Sequence, residues 1–187
     1  MQDLNKMRTE QKWESIQGKY LIKFPPRIQR DLKQITQPKE MYPDGSLFIH
    51  GNIHTGKTIL AAQLMMQEMK HIYLNALPDK HNKTLFVSFP AMLAEIKSTF
   101  SGAVSTDTVM QKYLGAHLLV IDDFITTRPT DWVMDLLYYL VNHRYEYLLK
   151  TIITCNYSLT ALEELLQDQR ITSRFNRSYT IIKKLPY

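Results

Sequence analysis

Eight consecutive residues, Gly51-Asn52-Ile53-His54-Thr55-Gly56-Lys57-Thr58, constrain what this chain can fold into more than any other part of it. They match G-x-x-x-x-G-K-[ST] at every fixed position. They follow a β-rich run, Leu47-Phe48-Ile49, and precede a helical stretch that carries Ile59, Leu60, Leu64, Met65 and Met69 on one side. Such a loop wraps backbone N–H groups around phosphate oxygens, and glycines stand where a Cβ would block the approach. Lys57 is expected to reach the β- and γ-phosphates, and Thr58 to offer its hydroxyl to Mg²⁺. The following helix turns its positive end toward the anion. The chain has six glycines, and two of them fall in this loop. Asn52, Ile53, His54 and Thr55 complete the cradle; His54 sits at a variable position and is assigned no catalytic role.

The rest of the chain keeps the same rhythm. Short apolar runs at 47–49, 84–89, 118–121, 151–154 and 179–182 alternate with helical stretches near 57–75, 90–100, 106–114, 131–148 and 159–168. Thr160-Ala161-Leu162-Glu163 reads as a capping box for the last of these. Strands that are apolar throughout suit a parallel sheet covered by helices on both faces. The expectation is an α/β, doubly wound, five-stranded parallel sheet.

Two further sites belong at the carboxyl edge of such a sheet, where open α/β folds bind ligands. Leu118-Leu119-Val120-Ile121 ends in Asp122-Asp123. Behind a phosphate loop, Asp122 is expected to serve Mg²⁺ and Asp123 to orient or deprotonate an attacking water. An aspartate at the second position is one methylene shorter than the usual glutamate, which points to slow hydrolysis. Thr151 to Thr154 lead into Cys155 and Asn156. Asn156 is the candidate for sensing the γ-phosphate, while a turn-forming asparagine explains the same residue. Cys155 reads as a small core residue, since no basic group stands beside it in sequence.

Residues 1–45 differ in character from the remainder of the chain. They contain prolines at 25, 26, 38 and 43 and end in Pro43-Asp44-Gly45, a turn signal. Residues 3–17 suit a short helix, Phe24-Pro25-Pro26-Arg27 should be extended, and Trp13, Ile16 and Tyr20 form a stripe that fits local packing or a docking element. The expected division is an N-terminal arm at 1–45 and an ATPase domain at 46–187. Charge is spread unevenly: 1–45 carry nine basic and six acidic residues, 46–149 eight and nine, and 150–187 six and three. Basic ends permit contact with nucleic-acid phosphates without requiring it. One cysteine excludes an intramolecular disulfide framework and favours a reducing cytoplasm. No apolar run approaches the ~18 residues of a membrane span, so no membrane partner is expected.

Taken in order, the three motifs resemble the AAA+ ATPases. Leu136-Leu137-Tyr138, Asn142-His143-Arg144-Tyr145, Thr154-Cys155-Asn156 and Arg170-Ile171-Thr172-Ser173-Arg174-Phe175 resemble bacterial helicase loaders of the DnaC/DnaI type and their relative IstB, over about residues 46–184. The resemblance implies an AAA+ (ASCE-class) P-loop domain without a C-terminal helical lid. It further implies ATP and Mg²⁺ as ligands, self-association through an arginine finger, and as partners single-stranded DNA and the replicative helicase that such a protein loads onto it. Arg170 is the first finger candidate and Arg174 the second; Arg144 is read either as facing a neighbouring subunit or as an exposed helix position. Lys183, Lys184, Arg177 and the cations of 19–33 are candidate DNA phosphate contacts.

Three other readings share the core. An IstB-like transposition helper would recruit a different partner, and a nucleotide-binding adaptor would have little turnover. A small-molecule kinase is disfavoured because no arginine-rich lid segment is evident and because the acidic pair suits water attack.

Overall fold

The computed structural model describes residues 11–34, 44–75, 77, 83–102 and 104–184. Five strands, β1 (Ser46–His50), β2 (Thr84–Ser88), β3 (Leu118–Asp122), β4 (Lys150–Cys155) and β5 (Tyr179–Lys183), form one sheet in the order β2-β3-β4-β1-β5. Every pairing is parallel, with Phe48 opposite Ile153 and Ile181, and Val120 opposite Ile152 and Phe86. Parallel strands bring all their carboxyl ends to one edge. The expected five-stranded sheet is therefore what the chain forms.

Seven helices with defined bounds surround it: α1 (Pro26–Gln34), α2 (Lys57–Leu74), α3 (Phe89–Ser98), α4 (Thr106–Leu114), α5 (Asp131–Glu146), α6 (Leu159–Leu166) and α7 (Gln169–Ser178). The two faces of the sheet bury different sets. Phe48, Leu119, Ile121, Ile153 and Cys155 point toward α3 to α7, where they meet Phe124, Leu137, Leu140 and Phe175. Leu47, Ile49, Leu118, Val120 and Ile152 point the other way, onto Leu60, Ala61, Met65 and Met69 of α2. The central strands are apolar on both faces because both faces are covered. Each fully buried side chain of this size contributes about 1.5–3 kcal/mol.

The segment ahead of β1 packs on the α2 face. Trp13 is 3% exposed and stacks on Tyr20 at 5.1 Å, with Tyr73 of α2 at 5.5 Å. Helical backbone runs over 11–16 and continues as a 3-10 helix, Gln17–Lys23; residues 3–10 of the expected first helix lie outside the described residues. Phe24 is extended, as the proline after it requires, but Pro26 begins α1 instead of continuing the extension. Proline fits the first turn of a helix because its missing N–H would have no partner there.

Two local expectations are corrected at the C-terminal end. The residue that caps α6 is Ser158, whose Oγ accepts from the Ala161 N–H, so the cap lies two residues before the expected Thr160. The chain then passes through Gln167 in a left-handed conformation and begins α7 at Gln169, capped by Asp168. The helix expected at 159–168 ends at Leu166, and a further helix that was not expected, α7, carries Arg170 and Arg174.

Candidate functional site

Strand β1 ends at His50 and α2 begins at Lys57, so the intervening loop must reverse within six residues. Gly51 and Gly56 take φ of 150° and 79°, and His54 takes 65°. A side chain at Gly51 is excluded by more than backbone preference: a Cβ there would lie 2.2 Å from the Lys184 carbonyl oxygen. That contact arises because the Lys184 N–H donates to the His50 oxygen at 2.7 Å just beyond β5. Asn52, Ile53 and His54 are exposed, whereas Thr55 and Lys57 are buried. Thr55 donates to the Asn52 oxygen at 2.9 Å and braces the loop from inside.

Lys57 folds its ammonium back across the loop and donates to the carbonyl oxygens of Gly51 at 2.9 Å and Asn52 at 2.7 Å. Burial pushes its pKa down, while Asp123, Cys155 and Asp122 pull it back up. The cation is held at the loop mouth with its charge opposed to the acidic pair.

Strand β3 delivers that pair. Asp122 is 6% exposed, and its Oδ1 accepts from Thr58 Oγ1 at 2.9 Å and from Thr154 Oγ1 at 2.6 Å. Burial raises the pKa of Asp122 and the neighbouring Asp123 charge adds to this, against the two hydroxyl bonds. Asp123 is exposed and left-handed, with φ of 54°. Its N–H donates to Thr154 Oγ1 at 3.0 Å. Cys155 is fully buried with its thiol pushed up to about 11 by burial, and it donates to the Phe124 oxygen at 3.2 Å. It is a core residue, not a nucleophile. Asn156 follows at the same sheet edge, half-buried, and its side chain makes no hydrogen bond to the described residues.

The donor set suits a phosphate-bound Mg²⁺. By giving its proton to Asp122, Thr58 keeps its oxygen lone pairs free, and Thr58 together with the Asp122 carboxylate would hold the metal. Hard oxygen ligands of this kind, with one carboxylate, are what Mg²⁺ selects.

The arginines lie elsewhere. Arg170, at the start of α7, is half-exposed, pairs with Asp168 at 2.7 Å and lies over the Tyr138 ring at 4.9 Å. Arg174, one turn on, is tied to Asn142 Oδ1 at 2.7 Å and to the Tyr138 hydroxyl at 3.2 Å. Arg144 is neither exposed nor turned to a neighbour. It is 1% exposed, and its guanidinium donates to the carbonyl oxygens of Tyr113, Leu114, Ala116 and Lys150 and to Thr151 Oγ1, at 2.7–3.2 Å. The reading of an exposed helix position is therefore corrected. Arg144 closes the carbonyl end of α4, where the helix dipole favours a cation, and burial lowers its pKa to about 10. Leu137, Leu140, Val141 and Arg144 share one buried stripe of α5.

Thr154 was given no role by its sequence alone. The available signal was a hydroxyl inside a strand that is buried along almost its whole length.

This sheet order, with the phosphate loop after β1 and the acid pair after β3, defines a P-loop NTPase fold of the AAA+ type. Among solved structures the chain is similar to the DnaC helicase loader, with 23% identity, a TM-score of 0.62, and coverage of 75% of this chain and 78% of that one. It is also similar to DnaI, with 20% identity, a TM-score of 0.63, and coverage of 84% and 81%. AMPPCP-bound DnaA from Aquifex aeolicus matches at 15% identity and a TM-score of 0.59; 84% of this chain is covered, but only 44% of that DnaA, so the chain spans less than half its length. No protein-family model matches the sequence, and no curated protein matches it. At these identities the likeness establishes the fold, which agrees with the resemblance drawn from the motifs. No helix among the described residues is long and apolar enough to cross a membrane.

Proposed function

We propose that this chain is an ATP-binding and ATP-hydrolysing replication factor that loads a replicative helicase onto single-stranded DNA in the cytoplasm, with ATP as the assembly switch. One observation carries the reading: Thr58 of the phosphate loop and Asp122 of β3, 64 residues apart, are joined by a 2.9 Å hydrogen bond on a fold shared with DnaC and DnaI. The loop N–H groups from Gly51 to Thr58 bind the phosphates, and Lys57 leaves its two carbonyl partners to meet the γ-phosphate. Thr58 and Asp122 hold Mg²⁺, which when bound neutralises charge on the β- and γ-phosphate oxygens. Asp123 orients a water toward the γ-phosphate, with Asn156 at the same edge to position it. Arg170, the more exposed of the two α7 arginines, reaches the γ-phosphate of a neighbouring subunit and stabilises charge developing there. Arg177, Lys183 and Lys184 lie on or beside the exposed edge strand β5 and serve as DNA phosphate contacts.

The mass of a mixture with the host's replicative helicase, read by light scattering with and without ATP and Mg²⁺, tests this. A defined co-complex that depends on ATP is expected. ATP-dependent self-assembly on DNA with no helicase bound would replace the loader with an IstB-like helper. The short, exposed Asp123 also favours a second reading, a nucleotide-binding adaptor with little turnover.

A further inference from the structure

We propose that Thr154 is a positioning residue that fixes the two carboxylates of the site relative to each other. The inference rests on the nucleotide-binding reading above and extends it to a residue outside the familiar motifs. Pairing between β3 and β4 runs in register from Leu118 opposite Lys150 to Ile121 opposite Ile153 and stops there. On the other side of β4, pairing with β1 continues to His50 opposite Cys155. Pairing of β4 with β3 therefore ends two residues before its pairing with β1, and Asp122, whose neighbour on the far side is Ser88 of β2, has no backbone partner on β4.

Thr154 spans the gap with its side chain. A hydroxyl has one proton and two lone pairs. The proton goes to Asp122 Oδ1 at 2.6 Å, and one lone pair accepts the Asp123 N–H at 3.0 Å. The backbone oxygen of the same residue accepts the Phe124 N–H at 2.9 Å. Three successive residues of β3 and its exit loop are thus tied to one residue of β4. Thr154 is fully buried, so no water competes for these bonds.

The consequence is directional. Asp122 can only accept, so the Thr154 proton is committed to it, and the remaining lone pair is aimed at the Asp123 peptide. That bond holds Asp123 at a φ of 54°, a conformation that aspartate adopts sparingly. With Thr58 as the second donor, Oδ1 of Asp122 is engaged by two hydroxyls. Without the hydroxyl, Asp122 would lose one of its two side-chain donors, and the Asp123 N–H would lose its bond to Thr154. Second partners of this kind commonly change metal affinity or activity by 10–100-fold.

The test compares wild type, Thr154→Val and Thr154→Ser. Valine keeps the branched shape that suits a strand and removes the hydroxyl; serine keeps the hydroxyl and removes a methyl. Thermal melts of the nucleotide-free proteins establish that each is folded. Two quantities are then read: the Mg²⁺ concentration that half-saturates Mg²⁺-dependent binding of a non-hydrolysable ATP analogue, and kcat with KM for ATP. Thr154→Val should raise the half-saturating Mg²⁺ about tenfold and lower kcat about tenfold or more, with analogue affinity in EDTA unchanged and KM within about threefold. Thr154→Ser should stay close to wild type in both. A folded Thr154→Val variant that matches wild type in Mg²⁺ dependence and kcat overturns the inference. So does a serine variant as impaired as the valine one, since the methyl and not the hydroxyl would then matter. A wild type that binds no analogue at all overturns the nucleotide reading itself, and this inference with it.

Discussion

Thr58 donates its proton to Asp122 at 2.9 Å, and that bond joins the first turn of the helix after the phosphate loop to the last residue of a strand two places away in the sheet. It ties metal-binding chemistry to a buried negative charge. Asp122 is 6% exposed with no cation hydrogen-bonded to it among the described residues, and burial, reinforced by Asp123, holds its pKa above the ordinary value. Ionising it therefore costs stability in the absence of metal.

Replacing that carboxylate without changing its shape should separate stability from function. A folded-state pKa above the unfolded one means that the cost is absent at low pH, appears as pH rises through the carboxylate range, and is fully present at neutrality. Asp122→Asn should therefore raise the Tm of the nucleotide-free protein at pH 7, by about 2–4 °C for each kcal/mol relieved, and the gain should shrink toward pH 4. The same variant should lose Mg²⁺-dependent nucleotide binding. Melting curves from pH 4 to 8 check the first part, and an unchanged or lower Tm at pH 7 counts against a costly buried charge.

Arg144 makes the opposite case, a buried charge that stabilises because its donors are satisfied. Truncation would leave four carbonyl oxygens and Thr151 short of donors in the core. Arg144→Ala should cost about 3–5 kcal/mol, a Tm loss on the order of 10 °C. Arg144→Lys should recover little, because one ammonium cannot span the C-terminal turn of α4 and the start of β4 together. Chemical denaturation of both variants measures this. A lysine variant as stable as wild type would show that charge alone suffices.

The two arginines of α7 should separate by assay. Arg170 pairs with the neighbouring Asp168 and rests on Tyr138, whereas Arg174 is bound to Asn142, Tyr138 and the Arg170 oxygen. Arg170→Ala should leave the Tm nearly unchanged and lower ATP turnover in the assembled state by about tenfold or more. Arg174→Ala should instead lower the Tm, through the lost link between α5 and α7. Turnover as a function of protein concentration distinguishes a residue acting across subunits from one acting within its own. If Arg170→Ala turns over ATP like wild type at every concentration, the finger lies elsewhere.

The fold was legible where local signals agree with tertiary demands. The phosphate loop, the five strands and helix α4 could be read from apolar runs and glycine placement, because a strand covered on both faces must be apolar throughout. Helix α7 was hidden: Gln167 and Asp168 carry no glycine or proline, and Asp168 acts as a cap only because the chain turns there. Helix α1 was obscured by Pro25-Pro26, which read as extended until packing of Ile28 against the α2 face set a helix start. At the site, the motif residues were readable because phosphate chemistry fixes their spacing. Thr154 and Arg144 were not, because each acts through hydrogen bonds to residues about 30 positions away. A hydroxyl or guanidinium at the right strand or helix position acquires its meaning only when the partner strand is in register.

The central claim is that the loop from Gly51 to Thr58 binds a nucleoside triphosphate with Mg²⁺, and calorimetric titration of the protein with ATP and Mg²⁺ tests it directly, with Lys57→Ala in parallel. The account predicts saturable, Mg²⁺-dependent binding by wild type, and binding weakened at least about tenfold in a Lys57→Ala variant that melts like wild type, since a charge-assisted contact of about 1.5–3 kcal/mol is removed. Wild type that takes up no heat from ATP, or a Lys57→Ala variant that binds it equally well, would contradict it.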